Sequence, residues 1–129
     1  MQKFVTFLMF EGKAEEAMTF YTGLFKNSAI TNIKRYGASG PGAEGTVLHA
    51  TFELNGQQFM AIDSVGHAFT FTPSISIYIN CEDEAEIDQF YNALVDGGSA
   101  MMPLGSYGFS KKFGWVADKF GVSWQLNLA

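Results

Sequence analysis

The sequence is poor in cysteine, in positive charge and in long apolar runs. Its single cysteine, Cys81, excludes an internal disulfide framework and fits a reducing cytoplasm. Eight Lys and Arg against thirteen Asp and Glu give a formal net charge of −5, which argues against nucleic acid as a partner. No apolar run approaches the roughly 20 residues of a membrane span, and the opening MQKFVTF already has the pattern of a strand. We therefore expect a cytoplasmic protein with no signal peptide and no membrane partner.

Apolar side chains, in contrast, are abundant. Hydrophobic residues make up 47% of the 129 residues and aromatic residues 16%, including thirteen Phe. This length predicts one domain with a substantial core. The excess of apolar residues predicts additional apolar surface in a cavity or at a dimer interface.

One stretch of the chain occurs twice, at residues 4–30 and 74–100. Each copy contains a short alternating strand, a turn and an amphipathic helix, and each is followed by further alternating strands. The repeat predicts an α+β fold of two βαβββ modules with curved, mostly antiparallel sheets, at about 1–72 and 73–129 of a single domain, 1–129. The matched residues are Thr6 with Ser76, Phe20 with Phe90, Tyr21 with Tyr91 and Leu24 with Leu94 at an offset of 70, and Gly56 with Gly121 and Met60 with Gln125 at an offset of 65.

Each helix must cover one face of its sheet, so the strand residues divide into two sets. The sets predicted to face the helices are Val5, Phe7, Met9, Leu48, Ala50, Phe52, Phe59 and Ala61, and then Ile75, Ile77, Ile79, Phe113, Trp115, Ala117, Trp124, Leu126 and Leu128. The sets predicted on the opposite faces are Thr6, His49, Thr51 and Met60, and then Ser76, Tyr78, Asn80, Ser123, Gln125 and Asn127. These semi-polar faces predict a cup lined by both sheets, which has the form of a ligand site.

Residues 37–45, GASGPGAEG, contain a match to the G-x-G-x-x-G dinucleotide pattern. That pattern binds phosphates only where a helix N-terminus follows it. Here TVLHATFEL follows, which alternates like a strand, so we expect a hairpin connection and not a nucleotide site.

With these elements in place, nearly the whole chain resembles the vicinal oxygen chelate superfamily, which includes glyoxalase I, extradiol dioxygenases and bleomycin-resistance proteins. More narrowly it resembles the PhnB-like, or 3-demethylubiquinone-9 3-methyltransferase-like, family. The segments that carry the resemblance are FLMFEGKAEEAMTFYTGLF, VLHATFELNGQQFMAID and SKKFGWVADKFGVSWQL. It implies paired βαβββ modules, a homodimer and a small-molecule site in each cup. A methyl-donor site of the common type needs a glycine-rich turn between a parallel strand and a helix, and the sequence shows none.

In metal-dependent members of that superfamily, four ligands, commonly His and Glu, come from the first and last strand of each module. Carried over to this chain, the four positions hold Thr6, Met60, Ser76 and Gln125. None is a His or a carboxylate, and a thioether is unsuited to the hard divalent ions of the superfamily. We therefore expect no metal, no other cofactor and no Lewis-acid chemistry at the usual place.

Several single residues are candidates for binding or catalysis. His49 could act as a general acid or base, or be a strand histidine satisfied by its neighbours. Cys81 lies at a strand–helix junction among acidic residues, which opposes a reactive thiol. Tyr107 and Phe109, in a loop, could close over a ligand or make dimer contacts. The predicted ligand-binding set is Thr6, His49, Met60, Ser76, Tyr78, Tyr107, Phe109 and Gln125, with His49 as the candidate catalytic residue.

Three functions stay open at this level. The first is a metal-independent binding protein with its small-molecule ligand in the cup between the sheets. The second is an enzyme of the same superfamily, a lyase, dioxygenase or transferase that uses His49 as acid or base. The third is a structural or interaction role in which the cup is closed. We favour them in that order.

Overall fold

The computed structural model describes residues 2–129, which form two compact units that divide between Phe69 and Thr70. Each unit contains one helix and one four-stranded mixed sheet. The predicted α+β fold of two βαβββ modules is confirmed.

In the first unit the elements are β1 (Thr6–Phe10), α1 (Ala14–Leu24), β2 (Ala29–Arg35), β3 (Val47–Leu54) and β4 (Gln57–Asp63). The strand order is β1-β4-β3-β2, in which β1 is parallel to β4 and the other neighbours are antiparallel. Asn55 and Gly56 join β3 to β4 with φ values of 51° and 80°, the positive values that a tight two-residue hairpin requires.

The second unit repeats this plan with β5 (Ile77–Asn80), α2 (Glu84–Val95), β6 (Ser99–Gly105), β7 (Lys112–Ala117) and β8 (Ser123–Leu128). Its strand order is β5-β8-β7-β6, and β5 is the strand parallel to β8. Pro103 lies in β6 at the edge of the sheet, where a residue without an N–H is tolerated.

The start of α1 is fixed by a side chain from the far end of its unit. Lys13, at the N-cap, makes no side-chain hydrogen bond, so the first turn lacks a local cap. Instead Asp63, at the end of β4, accepts hydrogen bonds from the backbone N–H of Ala14 at 3.0 Å and of Val47 at 2.8 Å. The carboxylate is only 3% exposed. One buried side chain therefore ties the helix to the sheet.

The start of α2 is capped locally. Asp83 accepts a hydrogen bond from the Glu86 N–H at 2.8 Å, and the Glu86 side chain accepts one from the Glu82 N–H at 3.0 Å. This arrangement is close to a capping box, and the acidic groups also lie at the positive end of the helix dipole. Glu84 and Glu86 are the acidic residues of this first turn.

The predicted orientation of β1 is wrong. Thr6 pairs with Phe59, whereas Phe7 pairs with Met60. Paired residues point to the same face, so Thr6 lies on the face that α1 covers and Phe7 lies beside Met60 on the opposite face. Burial agrees, because Leu8 is buried while Phe7 is exposed.

The cause is one additional residue between β1 and α1. Phe7 pairs with Met60 as Tyr78 pairs with Gln125, so the strands match at an offset of 71, whereas the helices match at 70. The longer connection contains Gly12, which has a φ of 77°, a value that glycine adopts without steric cost. A shift of one residue turns every side chain of a strand to the other face.

The predicted orientation of β7 is also wrong. Trp115 pairs with Gln125, and Phe113 and Ala117 lie on the same face of the strand, so all three point away from α2. On the helix side of β7, Val116 is fully buried.

Two more residues predicted to face the helices, Leu48 and Ile75, are exposed. Leu48 is a bulged residue of β3, since the pairing with β2 skips it between Val47 and His49. Val47 is buried in its place. Ile75 precedes β5, which begins at Ile77.

Neither of the two helices in residues 2–129 is long and apolar enough to span a membrane.

Candidate ligand-binding site

The second sheet carries a connected set of polar and aromatic side chains on the face opposite α2, which we call the outer face of the second sheet. Two contacts with α2 identify the side of the sheet that faces the helix, and the outer face is the other side. Lys112 binds Asp88 of α2 at 2.7 Å, and a methyl group added to Gly114 would come within 2.9 Å of the Tyr91 ring of α2. The polar and aromatic residues of the outer face are Ser76, Tyr78, Asn80, Phe113, Trp115, Ser123, Gln125 and Asn127.

Four of these side chains form a continuous hydrogen-bonded chain. The Trp115 indole Nε1 donates to Ser123 Oγ at 2.9 Å, and Ser123 Oγ and Ser76 Oγ are 2.6 Å apart. Gln125 Nε2 then donates to Ser76 Oγ at 3.2 Å. Trp115, Ser76 and Gln125 are half-buried, and Ser123 is buried. The chain holds the Gln125 amide in one orientation on the outer face.

An aromatic cluster lies beside this chain, centred on Phe113. Its ring centroid is 6.4 Å from that of Tyr78, 6.4 Å from that of Tyr107 and 4.9 Å from that of Phe109. Phe113 is only 4% exposed, whereas Phe109 is 62% exposed. The Tyr107 hydroxyl donates a hydrogen bond to the Pro103 carbonyl, which ties the loop to β6. Exposed aromatic rings next to oriented polar groups are typical of ligand sites.

The structure thus brings together five of the predicted ligand-binding residues, Ser76, Tyr78, Tyr107, Phe109 and Gln125. Trp115 and Ser123 complete the arrangement, and Trp115 was missed because its strand was assigned to the wrong face. Its indole N–H was the available signal, since a partly buried Trp needs an acceptor and Ser123 lies within reach in a hairpin.

The outer face of the first sheet carries the other candidates, and it is less polar. Met60 pairs with Phe7 on one side and with Thr51 on the other. Thr51 shares a hydrogen bond of 2.8 Å between its Oγ1 and that of Thr31. His49 is half-buried opposite Lys34 in β2, and its imidazole makes no hydrogen bond within residues 2–129.

The four residues at the metal-ligand positions implied by the resemblance do not have the chemistry that a hard divalent ion needs. Thr6 and Met60 point to opposite faces of the first sheet, and Ser76 and Gln125 are bonded to each other. All four donors are neutral, and one is a thioether. Within residues 2–129 no group of three or more His, Cys, Asp or Glu is placed to hold a metal ion.

Cys81 is a buried thiol and not a nucleophile. Desolvation, and then the nearby carboxylate of Glu86, raise its pKa from 9.0 to about 12. A hydrogen bond with the Asn127 backbone partly opposes this rise, and the carboxylate of Asp83 adds a smaller increase. Since the thiolate is the reactive form, this environment suppresses its reactivity.

The glycine-rich segment is part of a hairpin, as the sequence predicted. The backbone N–H of Tyr36 donates a hydrogen bond of 2.8 Å to the Thr46 carbonyl across its base, and β3 follows directly. Gly42 lies against the Tyr36 ring, where an added methyl group would come within 2.5 Å. The segment joins the antiparallel strands β2 and β3 and not a strand to a helix, so it lacks the geometry of a nucleotide or methyl-donor loop.

Two βαβββ units, each with one helix and a mixed four-stranded sheet, define the class of fold to which the chain belongs. The glyoxylase/bleomycin resistance protein/dioxygenase domain from Frankia sp. has the same fold, with a TM-score of 0.68 at 13% identity over 100% of this chain and 98% of that one. The family model for 3-demethylubiquinone-9 3-methyltransferase matches residues 2–127, and the chain belongs to this family.

Two solved structures with higher sequence identity to this chain have the same fold. A PhnB protein from Bacillus cereus is 66% identical, with a TM-score of 0.97 over 99% of this chain and 100% of that one. A protein from Pseudomonas aeruginosa is 29% identical, with a TM-score of 0.86 over 99% of this chain and 98% of that one.

Proposed function

We propose that this chain binds a small molecule on the outer face of its second sheet, without the divalent metal of the metal-dependent superfamily members. The observation that carries the proposal is the hydrogen-bonded chain from Trp115 to Gln125 beside the aromatic cluster around Phe113. Such a pairing of a few oriented polar groups with apolar walls is the usual composition of a small-molecule site.

Two features support a binding role over a purely structural one. Tyr78 and Phe109 expose large aromatic rings on this face, although water contact with them is unfavourable. The Gln125 amide uses one N–H for Ser76 and leaves its Oε1 without a partner within residues 2–129. A face that served only the fold would gain by burying the rings and satisfying the amide.

Native mass spectrometry of protein purified without a chelator or an affinity-tag metal tests the proposal. We expect an organic mass bound without a stoichiometric divalent ion. A fragment screen by the same method should find ligands that are lost in Gln125→Met and kept in Asn80→Ala, since Asn80 lies on the same face outside the chain. A stoichiometric divalent ion, or ligands that bind both variants equally, would contradict the proposal.

The second candidate is an enzyme that uses His49 as acid or base. The half-buried imidazole with no hydrogen bond within residues 2–129 favours it, because a free ring nitrogen can accept a substrate proton. With the ligand found by mass spectrometry as substrate, His49→Ala should abolish turnover and leave the fold intact, while His67→Ala, on an exposed loop, should not. Equal turnover in both variants would eliminate this candidate.

The homodimer and the cytoplasmic location expected from the sequence belong to the same proposal. Sedimentation equilibrium tests the first, and fractionation of cells that express the chain tests the second.

A further inference from the structure

The hydrogen-bonded chain on the outer face of the second sheet has a direction. The Trp115 indole N–H can only donate, so Ser123 Oγ accepts from it. Ser123 is 3% exposed, and the one acceptor its hydroxyl reaches within residues 2–129 is Ser76 Oγ at 2.6 Å. A buried hydroxyl hydrogen left without an acceptor is strongly unfavourable. Ser123 therefore donates to Ser76.

This direction leaves three hydrogen-bonding groups unused at the end of the chain. Ser76 Oγ accepts from both Ser123 and Gln125. The Ser76 hydroxyl hydrogen therefore has no acceptor among the members of the hydrogen-bonded chain. Gln125 keeps its second amide hydrogen and its Oε1. Because no buried side-chain oxygen or nitrogen in residues 2–129 lacks a partner, this Oε1 must be open to solvent. The result is two donors, on atoms 3.2 Å apart, next to one acceptor.

The same face carries no formal charge. Its eight residues include no Lys, Arg, His, Asp or Glu, and Lys112 in β7 points to the helix side, where it binds Asp88. An ionised ligand would lose hydration here without gaining a counter-charge, which is strongly unfavourable. A neutral ligand loses much less.

We propose that the ligand of this face is an uncharged planar ring compound with a lactam edge, a ring carbonyl next to a ring N–H. Ser76 and Gln125 donate to the carbonyl oxygen, Gln125 Oε1 accepts from the N–H, and the exposed rings of Tyr78 and Phe109 contact the ring plane. This inference rests on the proposed function of the same face and adds the chemical class of the ligand.

The two tryptophans provide a test in solution. The Trp115 indole N–H is part of the hydrogen-bonded chain on the outer face, whereas the Trp124 indole N–H donates to the buried carboxylate of Asp118 at 2.9 Å. In a ¹H–¹⁵N spectrum the Trp115 indole signal should shift on titration with 2-quinolone, a neutral planar lactam. The Trp124 signal should stay in place and serves as the internal reference.

Matched probes and variants separate the contributions. N-methyl-2-quinolone lacks the N–H, and quinoline-2-carboxylate carries a negative charge; both should bind at least about tenfold more weakly than 2-quinolone, as expected for a lost hydrogen bond or an unpaired charge. Gln125→Met should weaken 2-quinolone by about tenfold or more, because two hydrogen bonds are lost. Asn80→Ala should leave its affinity unchanged, and an unmoved Trp124 signal shows that each variant is folded.

The outcomes distinguish this inference from the function on which it rests. If quinoline-2-carboxylate or the N-methyl compound shifts Trp115 as strongly as 2-quinolone, the lactam class is wrong but binding at this face stands. If no probe shifts Trp115 while the fragment screen finds ligands sensitive to Gln125→Met, the lactam class is again wrong. If the probes shift Trp124 instead, both the class and the location are wrong.

Discussion

Asp63 and Ala14 are joined by a buried hydrogen bond of 3.0 Å that spans 49 positions of the chain. The carboxylate supplies the cap that α1 lacks in its own sequence, and its second oxygen receives the Val47 N–H where β3 begins. Asp63 thereby holds the start of α1, the start of β3 and the end of β4 together. We therefore expect this residue to dominate the stability of the first unit.

Asp63→Ala should lower the free energy of unfolding by about 2 to 4 kcal/mol, because two buried N–H groups lose their acceptor. Asp63→Asn keeps one acceptor oxygen and should cost less. The control is Asp83→Ala, which removes the exposed cap of α2 and should cost only about 1 kcal/mol. Urea unfolding followed by circular dichroism measures all three, and an equal loss for Asp63→Ala and Asp83→Ala would contradict the role of burial.

Gly98 should not tolerate a side chain. A methyl group there would lie 2.0 Å from the Ala117 carbonyl oxygen, so the turn after α2 would have to move away from the end of β7. Gly98→Ala should cost at least about 2 kcal/mol. Gly105→Ala is the matched control, since its nearest atom, the Pro103 oxygen, is 3.9 Å away, and its effect should stay within about 0.5 kcal/mol. Similar melting temperatures for both variants would refute this prediction.

The Cys81 thiol should react slowly in the folded protein. With a pKa raised from 9.0 to about 12 by desolvation, its thiolate fraction near neutral pH is about a thousandfold lower than in the unfolded chain. Alkylation by iodoacetamide, followed by mass spectrometry with and without urea, measures the ratio. The sign of the linked pH effect follows: stability is fully present below pH 9.0 and falls as the pH rises toward about 12. Rapid labelling of the native protein would show the thiol to be accessible.

The ion pair between Arg35 in β2 and Glu15 in α1 should make a small, acid-sensitive contribution. The hydrogen bond from Arg35 lowers the pKa of Glu15 from its usual 4.5, so the stabilisation is present above that value and is lost as the pH falls through the lowered pKa. Both side chains are partly exposed, so added salt should weaken the effect further. The loss of stability in Arg35→Gln should therefore shrink between about pH 6 and pH 3. Lys13→Gln, which removes an exposed pair within α1, should show little change.

Sequence periodicity predicts the helices and strands, the hairpins and the repeat of the βαβββ module, because these depend on local alternation and turn residues. It also places Ser76, Tyr78 and Gln125 on one face, because polar and apolar residues alternate clearly along β5 and β8, which are parallel neighbours. Two of the residues it misassigns, Thr6 and Leu48, lie where one additional residue changes the register. Thr6 is displaced by the longer connection at Gly12, and Leu48 by a bulge in β3.

The hydrogen-bonded chain itself could be predicted only in part. Trp115 lies in β7, Ser123 and Gln125 lie in β8, and Ser76 lies just before β5. Because the sequence assigned β7 to the wrong face, Trp115 could not be joined to Ser123. Asp63 illustrates the same limit, because nothing local to Lys13 indicates that its helix is capped from 49 positions away. Contacts between strands depend on register, which a single chain specifies through packing and not through local pattern.

The extra residue at the turn that contains Gly12 has a consequence for how such a chain can change. It leaves α1 in the position that α2 holds in its unit, yet it presents Phe7 where the strict repeat would have presented Thr6. One residue more or less at this turn therefore decides which side chains β1 presents on the outer face of the first sheet, while apolar residues, Leu8 and Phe10, fill the buried side. Two units with the same order of elements can in this way present unlike outer surfaces.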